Sequence, residues 1–230
     1  MDVINKQRRK LLVKALSSGL YIAGSTCIAL PAWSMAKLPN LLPGKSIYDL
    51  EGKVIIDGKL ATLNTLITTH SVIETGADSK IIFAVGKDAF ILRDNSRLEM
   101  QGNELFIQAL RLVTGKLLSV FGKRSAKQKL RMDTVVATIG IRGTGIYVES
   151  DADKTYVCTC YGTVEIASKT DSLSQEKIEA KHHDSPRYVL KDAPAGERIQ
   201  LAEMFNHDDD ELELIEALVG RVTPFPPGEY

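Results

Sequence analysis

Cys158 and Cys160 stand one residue apart in Thr155-Tyr156-Val157-Cys158-Thr159-Cys160-Tyr161. Side chains alternate along an extended strand, so both sulfurs project from one face. A disulfide closed over so short a span would distort the backbone, and strained bridges are labile rather than structural. A thiolate pair suits a metal better, because soft sulfur ligands select copper(I), zinc or iron. Downstream, His182-His183-Asp184 and the isolated His207 offer ligands that would complete a four-coordinate set. Adjacent His182 and His183 cannot both face one way in a strand, so one of them is expected in solvent. A plainer reading stands beside this one: free cysteines often fill a sheet interior as small apolar side chains. Cys27 is the one other cysteine, and it lies in an N-terminal stretch expected to be removed. Two thiols left in an exported chain need protection from oxidation, which a metal would supply. The spacing is unlike the paired Cys-x-x-Cys zinc pattern.

Other reactive constellations are missing from the sequence. It holds no Gly-x-Ser-x-Gly elbow, no His-Glu-x-x-His and no dinucleotide fingerprint between a strand and a helix. Gly44-Lys45-Ser46 lacks the strand and spacing of a phosphate loop. No catalytic residue is therefore assigned, and a non-enzymatic chain is expected. The 230 residues carry 29 basic and 29 acidic side chains, but the first 36 hold a net +4 and the remainder a net −4. A mildly acidic body with scattered bases has no footprint for a phosphate backbone, so nucleic acid is not an expected partner.

The elements that must position the cysteines are strands. From Lys53 to Ile166, short β-branched and apolar runs alternate with turns such as Asp57-Gly58, Thr75-Gly76, Gln101-Gly102-Asn103, Thr114-Gly115 and Gly143-Thr144-Gly145. Strands are expected at Lys53–Ile56, Thr65–Ile67, Ser71–Glu74, Lys80–Val85, Ala89–Arg93, Arg97–Gln101, Glu104–Leu112 and Gly115–Phe121. Others follow at Val135–Ile141, Gly145–Ser150, Thr155–Tyr161, Gly162–Ala167 and Arg187–Leu190. Ser172–Ala180 reads as a loop with a helical turn. An all-β domain results, a short β-solenoid or roll, with a two-sheet β-sandwich as the alternative.

Within this run, Gly52-Lys53-Val54 with Asp57-Gly58, and Ile73-Glu74-Thr75-Gly76-Ala77-Asp78-Ser79 before Ile81-Ile82-Phe83, resemble the first half of the FecR-type domain. That family is named after a periplasmic regulator of iron-citrate uptake. Thr114-Gly115-Lys116-Leu117-Leu118, then Asp133-Thr134-Val135-Val136-Ala137-Thr138-Ile139-Gly140-Ile141-Arg142-Gly143-Thr144, are similar to its second half, and Tyr161–Ile166 to its closing strand pair. The resemblance spans residues 45 to 167, with Ile139–Thr144 its most specific part, and implies an exported β domain. In the signature Thr138, Gly140 and Arg142 share one strand face, and Gly143 and Thr144 make the exit. Arg142 has a planar donor fork suited to turn carbonyls or a carboxylate, hence a structural role. Family regulators of sigma factors place a helical segment and a membrane span before the domain. Only about ten residues precede the apolar stretch here, so anti-sigma activity is not expected.

Residues 1–36 read as an export signal: a basic start around Arg8-Arg9, a small and apolar stretch from Ala15 to Leu30, and cleavage after Ala36. Arg8-Arg9 before Lys10, Leu11 and Leu12 resembles a twin-arginine signal, with a Sec signal as the alternative. The apolar stretch is interrupted by Ser17, Ser18, Gly19, Gly24, Ser25 and Thr26, so no retained membrane span is expected. Residues 37–170 then form the β domain and 171–230 an extension. In that extension Glu203 to Glu216 places seven acids in fourteen residues. Asn206 or Asp208 caps an amphipathic helix there, and Leu212, Ile215 and Val219 form its apolar stripe. The Asp208–Glu211 acids lack a calcium loop and are read as a solvated helix start, and Thr223–Gly228 as a loose, proline-rich arm. The sequence thus describes a periplasmic binding or sensing module that contacts an envelope protein or cell-wall glycan. Its rival is a metal or redox protein built on Cys158, Cys160, His182 and His183.

Overall fold

The computed structural model describes residues 44–104, 106–124 and 130–226. The proposed export signal, with Arg8, Arg9 and Ala36, and the end of the proline-rich arm from Pro227 lie outside these residues. In chain order the first strands are β1 (Ile47–Glu51), β2 (Val54–Ile56), β3 (Lys59–Leu60), β4 (Val72–Thr75), β5 (Lys80–Val85), β6 (Asp88–Leu92), β7 (Arg97–Gly102) and β8 (Ile107–Val120). They are followed by β9 (Leu130–Asp133), β10 (Ala137–Ile141), β11 (Gly145–Ser150), β12 (Lys154–Ser168), β13 (Gln175–Ala180), β14 (Arg187–Leu190) and β15 (Ile199–Leu201). The helix α1 (Asp209–Leu218) closes the described chain. The fold is all-β with a C-terminal helix, the class that the strand pattern implies. Among the described residues no helix is long and apolar enough to cross a membrane.

The strands make two sheets that share two members. One runs β1-β5-β6-β8-β11-β12-β14-β15 and the other β3-β2-β4-β7-β8-β9-β10-β12-β13. Strands β8 and β12 pass from one sheet into the other at a glycine. Up to Thr114, β8 pairs with β7; from Gly115 onward it pairs with β11 and then β6. Strand β12 pairs with β11 and β14 before Gly162, and with β10 and β13 after it. Gly115 and Gly162 have φ values of 95° and 91°, which L side chains rarely adopt. These pairings are antiparallel except for β8 with β9, so the chain forms a roll of two facing sheets rather than parallel solenoid coils.

Two apolar layers hold the body together. Between the sheets, Phe83, Phe90, Leu92, Val148 and Val157 of the first meet Ile73, Leu98, Leu112, Ile139 and Ile166 of the second. Phe83 and Phe90 stack with centroids 4.9 Å apart. On its other face the first sheet carries Ile82, Ile91, Leu118, Tyr147, Tyr156, Cys158 and Cys160, against which Leu212, Ile215, Leu218 and Phe225 pack. Burying three helix side chains and a phenyl ring there contributes about 1.5–3 kcal/mol each before ordering costs. A ten-residue helix needs such packing, because helices this short are marginal alone.

Several local expectations are corrected. The strands expected at Glu104–Leu112 and Gly115–Phe121 are one strand, and so are Thr155–Tyr161 and Gly162–Ala167, since each glycine bends the strand instead of ending it. Residues 65–67 are not a strand: Thr62 and Thr65 hydroxyls accept from nearby backbone N–H groups and hold a local turn. Residues 175–180 form β13 rather than a helical turn, with Ile178 and Ala180 buried at a period of two. Phe225 of the proline-rich segment is buried, so the arm is tied down at least that far.

Candidate metal centre

Strand β12 alternates as the sequence requires. Val157 points between the sheets, while Tyr156, Cys158 and Cys160 point to the outer face beneath the C-terminal extension. Both cysteines are free and fully buried. Opposite Cys160 the ladder is irregular: Gly145 pairs with Tyr161 and Ile146 with Thr159, which leaves Cys160 as the extra residue of a β-bulge. Its carbonyl is thereby available and accepts the His183 backbone N–H at 2.9 Å. The turn after β13 is thus fastened to the cysteine strand. His183 has φ +52°, a left-handed conformation within the turn that leads away from β13.

The His183 and His207 rings complete the cluster. One ligand atom from each of Cys158, Cys160, His183 and His207 lies within 4.8 Å of every other, and all four residues are buried. Cys158 Sγ is 3.6 Å from His183 Nδ1, which is 3.0 Å from His207 Nε2. Each ring is held by its far nitrogen. His207 Nδ1 donates to the Phe205 carbonyl at 2.8 Å, and a carbonyl only accepts. His183 Nε2 donates to Asp209 Oδ1 at 3.2 Å. With both protons committed outward, the two facing nitrogens present lone pairs to one another, an arrangement that calls for a proton or a cation between them. His207 also stacks on Tyr147, the cross-strand partner of Cys158, with centroids 4.5 Å apart.

The electrostatics suit thiolate chemistry at one sulfur. Hydrogen bonding with Cys160, then with the His183 and His207 rings when a proton sits between them, draws the Cys158 thiol down to about 4 against the opposing effect of burial. Burial, followed by the adjoining Cys158, pushes the Cys160 thiol well above its ordinary value. Burial alone would lower the basicity of His183, but Cys158 and then Asp209 outweigh it, and the net direction is up.

The sequence-derived ligand set is revised in one place. His182 does not join the cysteines; its Nε2 donates to Asp209 Oδ1 at 2.8 Å. Nor is it solvated: only 12% of its side chain is exposed, and its ring stacks on Phe225 with centroids 4.1 Å apart. Adjacent histidines both reach inward because they lie on a turn, where strand alternation does not apply. His207 takes the fourth place. Asp209, absent from the sequence-derived set and counted among solvated acids, is fully buried and receives both His182 and His183. It follows the N-cap Asp208, whose Oδ1 accepts from Glu211 N–H at 2.9 Å, so its carboxylate sits at the positive end of the helix. The available signal was spacing: positions 209, 212 and 216 share a helix face, and all three are buried.

No residue of the Arg142 signature belongs to this cluster. Of its two candidate partners Arg142 takes the carboxylate, donating to Glu165 at 2.7 Å with 68% and 51% of the two side chains exposed. Such a pair stabilises little. Replacing Arg142 by Ala is expected to change unfolding free energy by no more than about 0.5 kcal/mol in urea titrations; a loss above about 2 kcal/mol would restore an anchoring role. Thr138 donates to Asp133 Oδ1 at 2.9 Å, Gly140 pairs with Glu165, Gly143 turns with φ 63°, and Thr144 is buried.

No family model and no curated protein matches the chain, so the FecR-type resemblance rests on its motifs. Among solved structures it is similar to two crystal structures of a putative anti-sigma factor from Parabacteroides distasonis, with TM-scores of 0.46 and 0.47 and sequence identities of 11% and 10%. Each match covers 57% of this chain, which spans 59% of the length of the solved chains.

Proposed function

We propose that the chain is a non-enzymatic sensing or binding module of the cell envelope that holds one metal ion between Cys158, Cys160, His183 and His207. The carrying observation is the pair of inward nitrogens 3.0 Å apart, each with its far nitrogen occupied, beside two buried sulfurs. Copper(I), zinc and iron are the ions this donor set selects. A protein ligand fills each position of the cluster and all four residues are buried, which favours a closed structural centre over one that keeps a position for substrate. The basic start at Arg8-Arg9 supports export to the periplasm, where the partner is an envelope protein or a cell-wall glycan met through a sheet face or edge.

Elemental analysis of the chain recovered from the periplasmic fraction tests this reading, with thiol titration alongside. About one metal per chain and two protected thiols are expected. Recovery without metal, with both thiols freely reactive, would leave the cysteines as core-filling residues and remove the metal from the proposal.

A further inference from the structure

The identity of the ion follows from charge, coordination number and the groups behind the ligands. We infer that the centre is a zinc(II) site and that Asp209 is the residue that positions it; this rests on the metal-binding reading above.

Charge comes first. Two thiolates and two neutral imidazoles around a divalent ion sum to zero, which a fully buried site tolerates. A monovalent ion leaves one negative charge in the same place, close to the buried carboxylate of Asp209. Geometry agrees. Zinc bonds of about 2.3 Å to sulfur and 2.0–2.1 Å to nitrogen make a tetrahedron with edges of roughly 3.3–3.8 Å. The observed 3.6 Å between Cys158 Sγ and His183 Nδ1 is such an edge, and the 4.8 Å limit on the remaining separations needs side-chain shifts of about an ångström. Four protein ligands in a closed shell match structural zinc, which has no geometric preference beyond the tetrahedron.

Asp209 supplies what a ligand histidine requires from behind. Its Oδ1 accepts from His183 Nε2, which fixes the tautomer that aims Nδ1 at the sulfurs and raises the donor strength of the ring. The same oxygen holds His182, whose ring lies under Phe225 and closes the site. Asp209 reaches the cluster through His183, and this contact gives it a role in orientation and basicity.

The test uses the full chain isolated from its native host, followed by reloading of chelator-stripped protein with zinc(II) or with cobalt(II) as a coloured substitute. Zinc at about one per chain is expected, together with the visible absorption of tetrahedral cobalt(II) and a thiolate-to-cobalt charge-transfer band. Asp209→Asn keeps shape and an accepting oxygen; it is expected to weaken zinc binding 10- to 100-fold while the cobalt spectrum of the loaded protein stays as in the parent. Copper or iron at one per chain would overturn the zinc assignment and leave the metal-binding reading intact. Zinc affinity within twofold of the parent in Asp209→Asn would overturn the role of Asp209. Absence of any metal would instead remove the underlying reading.

Discussion

Serine at both positions 158 and 160 is expected to reduce metal content from about one per chain to below roughly a tenth, and to abolish the response of stability to metal. The second effect is the more telling. An ion bound to the folded chain alone, at a free concentration a thousandfold above its dissociation constant, stabilises it by about 4.1 kcal/mol. For a body of this size that raises the melting temperature by roughly 8–16 °C. A chelator should therefore lower the melting temperature of the parent by that amount and leave the Cys158→Ser/Cys160→Ser variant where it began. The buried hydroxyls add their own cost of about 1–3 kcal/mol each if they lack partners, but this shifts the variant equally with and without chelator. Thermal melts of both proteins in both conditions separate the two effects. A parent that melts at one temperature with zinc and with chelator would contradict the metal centre.

Gly115→Ala is expected to be the most damaging single substitution in the shared strands. A Cβ at position 115 would lie 2.0 Å from Ser96 Oγ and 2.5 Å from Ser96 Cα, and the backbone there has φ 95°. Strain of about 1–3 kcal/mol adds to overpacking of similar size, for a loss of about 3 kcal/mol or more. Gly196→Ala separates the causes, because Gly196 has φ 82° with nothing within 4 Å of the added carbon. Its loss should stay near 1 kcal/mol, the conformational part alone. Urea titrations of the two variants check the difference; equal losses would mean that contact with Ser96 is not what makes Gly115 necessary.

How far the sequence spoke for the structure depended on the range of the interactions involved. Alternation is a local rule, so it placed Cys158 and Cys160 on one face correctly and separated Val157 from them. His207 was visible only as an isolated candidate, because its place beside His183 is set by the path of β14, β15 and α1. Asp209 was hidden by its company. Among consecutive acids, one buried aspartate looks like its solvated neighbours until the helix packs and turns position 209 inward. Gly115 reads as a turn and Gly162 as the start of a separate strand, since a glycine with positive φ serves a chain break and a sharp strand bend equally well, and only the partner strands decide. β13 escaped because its exposed positions are polar and its two buried side chains, Ile178 and Ala180, leave a short alternation. Arg142 drew attention through its motif, yet its surroundings give it an ordinary exposed ion pair.

The cover over the cysteines comes from the end of the chain, and this sets an order of events during synthesis. Cys160 leaves the ribosome well before His183, His207, Asp209 and Phe225. At 5–20 residues per second the roughly 65 residues from Cys160 to Phe225 take about 3–13 s to be made. Until that interval ends, part of what covers the two thiols in the folded chain has not been made. Completion of the last segment before the chain meets an oxidising compartment would trap metal in the reducing cytoplasm. Threading the chain across the membrane unfolded would deliver bare thiols to the oxidant instead. On the proposed reading of an exported chain that holds a metal, the late position of the cover makes the timing of folding relative to export the step that decides between a loaded centre and an oxidised pair.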